Sequence, residues 1–323
     1  MTLAKAARRS TGSRLAEATR VRRVNGVELQ YTDSEAGRNA VILLHGGMGD
    51  LEAWPHQIGA LSPRWRVIAY SRRHSHPNRN NDAPRTVAAN GLDDDIDDFL
   101  ALQEALDAGP AHLVATSYGA LLALGIALCA PDRVSSLVLA EPPLHRWALA
   151  TDDGARLYRA FIDGVWHPAA QAFGRGEQRQ AMALLTEGMW GRLTLESWPA
   201  ERIDGVMRNA LVLHELTRIA DPFPDFDRAA VSRLKMPTLL LRGAHTSALH
   251  RHVVDELSGV MRHAQRIEIP RAGHGSPNEN PAAFNAEVIA FLESLSPPRS
   301  PQRNAAHSND TPDTAIRPST RDR

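Results

Sequence analysis

The chain of 323 residues contains a single cysteine, Cys129, so no intramolecular disulfide can form. That thiol sits in the run GIALCAPDR, where it reads as a small buried apolar residue. One cysteine in a chain of this length fits a reducing, cytoplasmic setting. No run of 18 or more apolar residues occurs, which argues against a membrane-spanning helix. Net charge is absent too, because 37 Lys and Arg balance 37 Asp and Glu. The balance is uneven along the chain. Residues 1–23 hold seven basic side chains against Glu17, and residues 297–323 hold five Arg against three Asp. The body between these ends is therefore net acidic and offers no basic face for nucleic acid.

Both ends are polar and lack apolar periodicity. Residues 1–23 have no apolar core of the secretory kind and read as a disordered basic leader. The tail over 297–323, rich in Pro, Ser, Asn and charge, reads as disordered as well. Between them no internal repeat is found. Short apolar runs alternate with helical patterns: AVILL (40–44), RVIAYS (66–71), HLVAT (112–116), SSLVLA (135–140), PTLLLR (237–242) and QRIEIP (265–270). VELQYT (27–32) reads as an edge strand ahead of them. Runs this apolar suit strands buried on both faces of a parallel sheet, and the alternation predicts an α/β domain.

The rhythm breaks between residues 145 and 233, where only helical stretches occur. This segment predicts a helical cap over the end of the sheet, splitting a core of residues 24–144 and 234–296. Four of the six tryptophans fall in it: Trp147, Trp166, Trp190 and Trp198. Packing alone accounts for such residues, and an apolar substrate cavity would use them too. Asp93, Asp94 and Asp95 open a helical pattern, where negative charge complements the macrodipole, and read as a solvated face. The loop YSRRHSHPNRN carries Arg72, Arg73, His74 and His76. It reads as a solvated loop, with a place at the site entrance as the other reading. His74-x-His76 and His250-x-His252 lack the carboxylate partners or helical spacing of a metal site, and no metal is expected.

The run HLVATSYGALLAL places Ser117 where a buried strand meets a helix. Small residues stand two before it, Ala115, and two after it, Gly119, as a sharp strand-to-helix turn requires. From VILLHGGMGD to AGHGSPNENP the chain resembles the α/β-hydrolase family: a mostly parallel central sheet flanked by helices, with an inserted helical cap. The resemblance covers about residues 24–296. It implies that Ser117 is the nucleophile and that His274, in the G-H pair after the last core strand, is the base. It also implies an H-G-x-x-G loop at His45–Gly49, with the backbone N–H groups of Gly47 and Tyr118 as oxyanion donors. The family's usual acid, an Asp after PTLLLR, is missing. Thr246 stands in its place, and the next carboxylate is Asp255, inside the following helix.

A hydroxyl cannot stabilise an imidazolium, so another carboxylate must serve. Glu141, at the end of SSLVLA and ahead of Pro142 and Pro143, occupies an alternative position used in the family. A structural ion pair or a loop role is the other reading of Glu141. The resemblance then implies a cofactor-free serine hydrolase acting on an apolar carboxylic ester or lactone. The Ser–Glu–His order also resembles the zearalenone lactonases. Met48, Trp147, Trp166, Trp190 and His74 are the expected substrate contacts. Cleavage of a C–C bond by the same triad, or a non-catalytic ligand-binding protein on this fold, are the competing readings.

Overall fold

The computed structural model describes residues 19–37, 39–78, 91–191, 195–219 and 223–295. The expected leader up to residue 18 and the expected tail over 297–323 lie outside these residues. Eight strands form one sheet: β1 Arg20–Val24, β2 Val27–Asp33, β3 Ala40–Leu44, β4 Arg66–Tyr70, β5 Ala111–Thr116, β6 Val134–Ala140, β7 Thr238–Gly243 and β8 Gln265–Ile269. Their order across the sheet is β1-β2-β4-β3-β5-β6-β7-β8. Pairings from β4 through to β8 are parallel, and β2 runs antiparallel to both β1 and β4.

The apolar runs form central strands because both of their faces are covered. Ile42, Leu44, Leu113 and Leu139 pack into one layer, while Val41, Leu43, Val114 and Val138 pack into the opposite one. Successive side chains of a strand point to opposite faces, so two separate cores follow from one run of apolar residues. Helices α1 (Pro55–Leu61), α2 (Gly91–Ala105) and α3 (Tyr118–Cys129) lie among the first six strands in sequence. In α3 every residue from Gly119 to Ala127 is buried, so the helix is apolar all round. Its last residue differs from expectation: Cys129 is exposed, because α3 reaches the surface there.

Between β6 and β7 the chain has no described strand. It forms α4 (Asp152–Phe161), a π-helical turn (Ile162–Trp166), α5 (His167–Gly174), α6 (Gln178–Trp190), α7 (Ala200–Met207), α8 (Ala210–Thr217) and α9 (Arg228–Ser232). After β7 come α10 (Ala248–Val260), α11 (Ser276–Glu279) and α12 (Pro281–Ser294).

Three expectations need correction. The leader expected to run to residue 23 ends in β1, so β1 and not β2 is the sheet's edge. Asn25 and Gly26, both at positive φ, make the two-residue turn that pairs β1 with β2. Exposed Arg20, Arg22 and Arg23 then decorate a free strand edge, where charge discourages pairing with another chain. The acidic start of α2 is not uniformly solvated either. Asp93 is exposed, but Asp95 and Asp98 are buried. Finally, the loop after β4 is not solvated: Arg72 and Arg73 are buried because those two aspartates hold them. Arg72 donates to Asp95 at 3.1 Å, and Arg73 makes a two-pronged contact to Asp98 at 2.8 Å on each oxygen.

Removing Asp98 takes away both short contacts of the buried Arg73 guanidinium and leaves the longer one to Asp94 at 3.5 Å. Asp98→Ala should therefore destabilise the fold by about 3 kcal/mol, read from urea unfolding.

Candidate active site

The backbone at the end of β5 turns sharply at Ser117, which has φ 52° and ψ −125°. That left-handed conformation is costly for a residue with a side chain and is held by its surroundings. The Ser117 N–H donates to the Ala140 carbonyl at 2.8 Å, tying the turn to the end of β6. Gly119 permits the turn, because a Cβ there would overlap the Leu44 and His45 carbonyls of the neighbouring strand end. Ala115 needs no such freedom, since it lies inside the regular part of β5.

Glu141 follows β6 directly, also left-handed at φ 49°, with its side chain 1% exposed. Three donors meet its carboxylate. The Gly243 N–H reaches Oε1 at 2.8 Å, the Thr246 hydroxyl reaches Oε2 at 2.7 Å, and His274 Nδ1 lies 2.7 Å from Oε2. Burial alone would push this carboxyl group up. The hydrogen bond and charge of His274, with smaller contributions from His250 and the Gly243 amide, hold it below the ordinary glutamate value of 4.5. A carboxylate can only accept, so Nδ1 of His274 carries the proton and Nε2 presents its lone pair. That Nε2 stands 3.0 Å from Ser117 Oγ, whose O–H is left as the donor. Sequence reasoning located Thr246 as the site of a missing acid. Its role as a donor to the displaced acid needed the fold, which brings the end of β7 against the end of β6.

The loop after β3 is built around the Gly46 carbonyl. His45 is wholly buried, and burial together with Arg72 holds its imidazole well below its usual range, hence neutral. Its Nε2 accepts the Arg72 N–H at 3.1 Å, so its Nδ1–H donates to the Gly46 carbonyl at 2.9 Å. The Gly49 N–H donates to the same oxygen at 3.0 Å, and the Arg72 guanidinium approaches it at 3.4 Å. In a trans peptide the N–H opposes the C=O. Pinning the Gly46 carbonyl therefore fixes the direction of the Gly47 N–H. Arg72 also lies over the Tyr118 ring at 4.2 Å. Sequence reasoning missed Arg72 and Asp95 as supports of this loop.

The helical insertion reaches the same region. Leu213 of α8 would stand 3.9 Å from a Cβ on Gly47. Asn209, buried between α7 and α8, donates to Asp50 at 3.0 Å and accepts the His76 N–H at 2.8 Å. Trp190 meets the His274 ring edge-on, with centroids 5.1 Å apart. Its indole N–H bonds Glu279, which in turn accepts the Gly273 N–H at 2.6 Å.

Of the other expected contacts, Met48 lies buried in the loop with its carbonyl near Asn209. His74 lines a small cavity with Arg72, Asp95 and Tyr118. Trp147 and Trp166 are not brought to the triad. Trp147 is 1% exposed, donates to the Phe226 carbonyl and packs under Arg228, while Trp166 packs on Phe161 and Phe223. Both fill the interior of the insertion.

Glu141, His250 and His274 also place one ligand atom each within 4.8 Å of one another. The His250 and His274 rings are stacked at 25°, so their in-plane lone pairs run side by side and do not converge on one ion. This set fits a hydrogen-bonded relay better than a metal centre.

A mostly parallel sheet with a strained serine turn, a histidine after the last strand and a buried acid define a hydrolase architecture of the α/β type. The chain belongs to the alpha/beta hydrolase fold family, whose sequence model matches residues 39–281. A Caulobacter vibrioides protein carrying the name carbamate hydrolase RutD is 24% identical over 282 residues, which span 84% of this chain and 96% of that one. The pimeloyl-(acyl-carrier protein) methyl ester esterase of Pectobacterium carotovorum is 26% identical over 275 residues, 82% of this chain and 98% of its own. Among solved structures, a thermophilic esterase from Thermogutta terrifontis superposes with a TM-score of 0.61 at 21% identity, over 85% of this chain and 97% of that one.

The contacts around Glu141 have a pH consequence. Its folded-state value is depressed, so its stabilisation is fully present above the ordinary value of 4.5 and is lost as pH falls through the folded value. Thr246→Val removes a donor to the charged form. It should cost about 2 kcal/mol at pH 7 and start the acid loss at a higher pH, as followed by circular dichroism across an acid titration.

Proposed function

We propose that this chain is a serine hydrolase that cleaves a carboxylic ester or lactone through an acyl-enzyme intermediate. The observation that carries this reading is the unbroken relay from Ser117 Oγ to His274 Nε2 at 3.0 Å and from His274 Nδ1 to Glu141 Oε2 at 2.7 Å. In the first step Ser117 attacks the substrate carbonyl while its proton passes to His274 Nε2. Glu141, charged and buried, stabilises the imidazolium and keeps Nδ1 protonated. The oxyanion is received by the Gly47 N–H and by the Tyr118 N–H. Tyr118 is the first residue of α3, and an N–H in a helix's first turn has no acceptor within the helix. His274 then protonates the leaving alcohol, and water activated by the same nitrogen releases the acid. Each step uses groups of this chain alone, without a cofactor.

The helical insertion, read as a cap, supports an apolar small-molecule substrate. Leu213 faces the oxyanion loop and Trp190 faces His274. A relative named as a methyl ester esterase favours ester chemistry. Within that class, the glutamate after β6 is the feature that favours a macrolactone of the zearalenone type. C–C bond cleavage would use the same relay. The intact relay speaks against a purely ligand-binding role. With a single cysteine and no described helix long and apolar enough to cross a membrane, we place the enzyme in the cytoplasm.

Wild-type protein should hydrolyse at least one member of a panel of p-nitrophenyl esters, aliphatic lactones and resorcylic macrolactones. Ser117→Ala should remove that turnover while leaving the thermal midpoint close to wild type. Glu141→Gln should lower kcat by about 10⁴. Turnover that survives Ser117→Ala would sink the assignment.

A further inference from the structure

The His274 ring has an aromatic neighbour on each side. Trp190 stands perpendicular to it, but His250 lies nearly flat against it, with centroids 4.2 Å apart and planes 25° apart. His250 comes from the first turn of α10 and is 2% exposed. Ser247, the N-cap of that helix, fixes its orientation. The Ser247 hydroxyl oxygen accepts the His250 N–H at 3.3 Å and lies 2.8 Å from His250 Nδ1. Behind His250 sits His145, edge-on at 5.1 Å and wedged against Phe161 and Phe223. An aromatic stack therefore runs from the interior of the insertion to the reacting histidine.

The titratable groups that meet His250 in this stack are Glu141, His274 and His145. Burial, reinforced by His274, brings the His250 pKa down to about 3, and burial also holds His145 well below its usual range. Both rings are thus neutral wherever the fold is assayed near neutrality. A neutral aromatic ring attracts a cation placed over its face, most strongly where water is excluded. In the proposed reaction His274 takes up the Ser117 proton and becomes such a cation, so the contact favours the state in which that proton has moved.

We propose that His250 is a positioning residue: its ring stacks on His274, holds the plane in which Nε2 points at Ser117, and offers a π face to the imidazolium that forms there. This inference rests on His274 being the base in the proposed reaction. An apolar filler would serve packing equally well. The nearly parallel stacking at 4.2 Å, which turns the ring's face to His274, distinguishes the arrangement from one that only fills space.

The test is the second-order rate at which a fluorophosphonate probe labels Ser117, with the site identified by mass spectrometry. That chemistry uses the nucleophile and base without requiring the natural substrate. Full-length wild type, His250→Phe, His250→Leu and His250→Gln are compared, with thermal midpoints measured alongside. The Phe variant keeps a flat ring and should label within about threefold of wild type. The two ringless variants should label about 30-fold more slowly, equivalent to about 2 kcal/mol at a desolvated cation–π contact. Either ringless variant that folds is enough for the comparison. Ringless variants that label at the wild-type rate, or a Phe variant that falls as far as they do, would overturn the role of His250 alone. A wild-type protein that does not label at Ser117 would overturn the serine–histidine reading and this inference with it.

Discussion

A carboxylate sealed inside a protein is tolerable only when donors surround it, and the Glu141 side chain imposes that demand on everything near it. Its three partners come from separate parts of the chain: the end of β7 at Gly243, the turn after it at Thr246, and the loop after β8 at His274. Satisfying one charge therefore brings three strand ends into register at the same edge of the sheet. The left-handed backbone at Glu141 is part of this constraint. It turns the side chain back toward β7 instead of along the strand, and the bonds to the carboxylate offset its cost. Thr246 shows how the position usually held by an acid remains in use. A hydroxyl there donates to the displaced carboxylate, so the same turn still contributes to the polarisation of His274.

The loop after β3, read as the oxyanion loop, is governed by a second buried charge arrangement. Asp95 neutralises Arg72, whose backbone N–H orients His45 and whose guanidinium lies over Tyr118. Removing any member would loosen the Gly46 carbonyl and with it the direction of the Gly47 N–H. Buried ion pairs are weak contributors to net stability, so their value lies in geometry. Here that geometry sits beside the point where negative charge would develop in the proposed reaction.

Much of this was readable in the chain before folding. The central strands announced themselves as apolar runs, because burial on both faces leaves no polar alternation. Ser117 and Gly119 stood out because a sharp strand-to-helix turn needs small neighbours, and His274 because the resemblance implies a base in the G-H pair after the last core strand. Glu141 followed from the resemblance, which implies an alternative acid position after β6 once Thr246 stands where the usual acid would. The failures at Arg72 and Asp95 have one cause: pairing between residues distant in sequence. Arg72 and Asp95 each look like surface charges until α2 packs against the loop after β4. β1 was missed for a different reason. Its arginines masked it, although Asn25-Gly26 between two valine-bearing segments carries the hairpin signal. Trp147 and Trp166 illustrate the converse, as aromatic residues expected at the site whose described contacts lie within the insertion.

The insertion is joined to the histidine loop by polar contacts. Glu279, just after His274, accepts from both the Gly273 N–H of the histidine loop and the Trp190 indole of α6, while Arg202 of α7 lies 3.6 Å away. Gly275 directly follows the histidine for a related reason. A Cβ there would press on Glu279, Arg202 and Trp190. On the other side Asn209 joins α7 and α8 to the oxyanion loop through Asp50. Histidine and oxyanion loop are thus each tied to the insertion by a buried or half-buried polar contact. A change in the insertion's packing must alter both supports of the site together. In the proposed reaction, then, the segment read as a cap also braces the groups that carry out the chemistry. Exchange of the insertion alone, without Glu279 and Asp50 to receive it, would not transfer specificity intact.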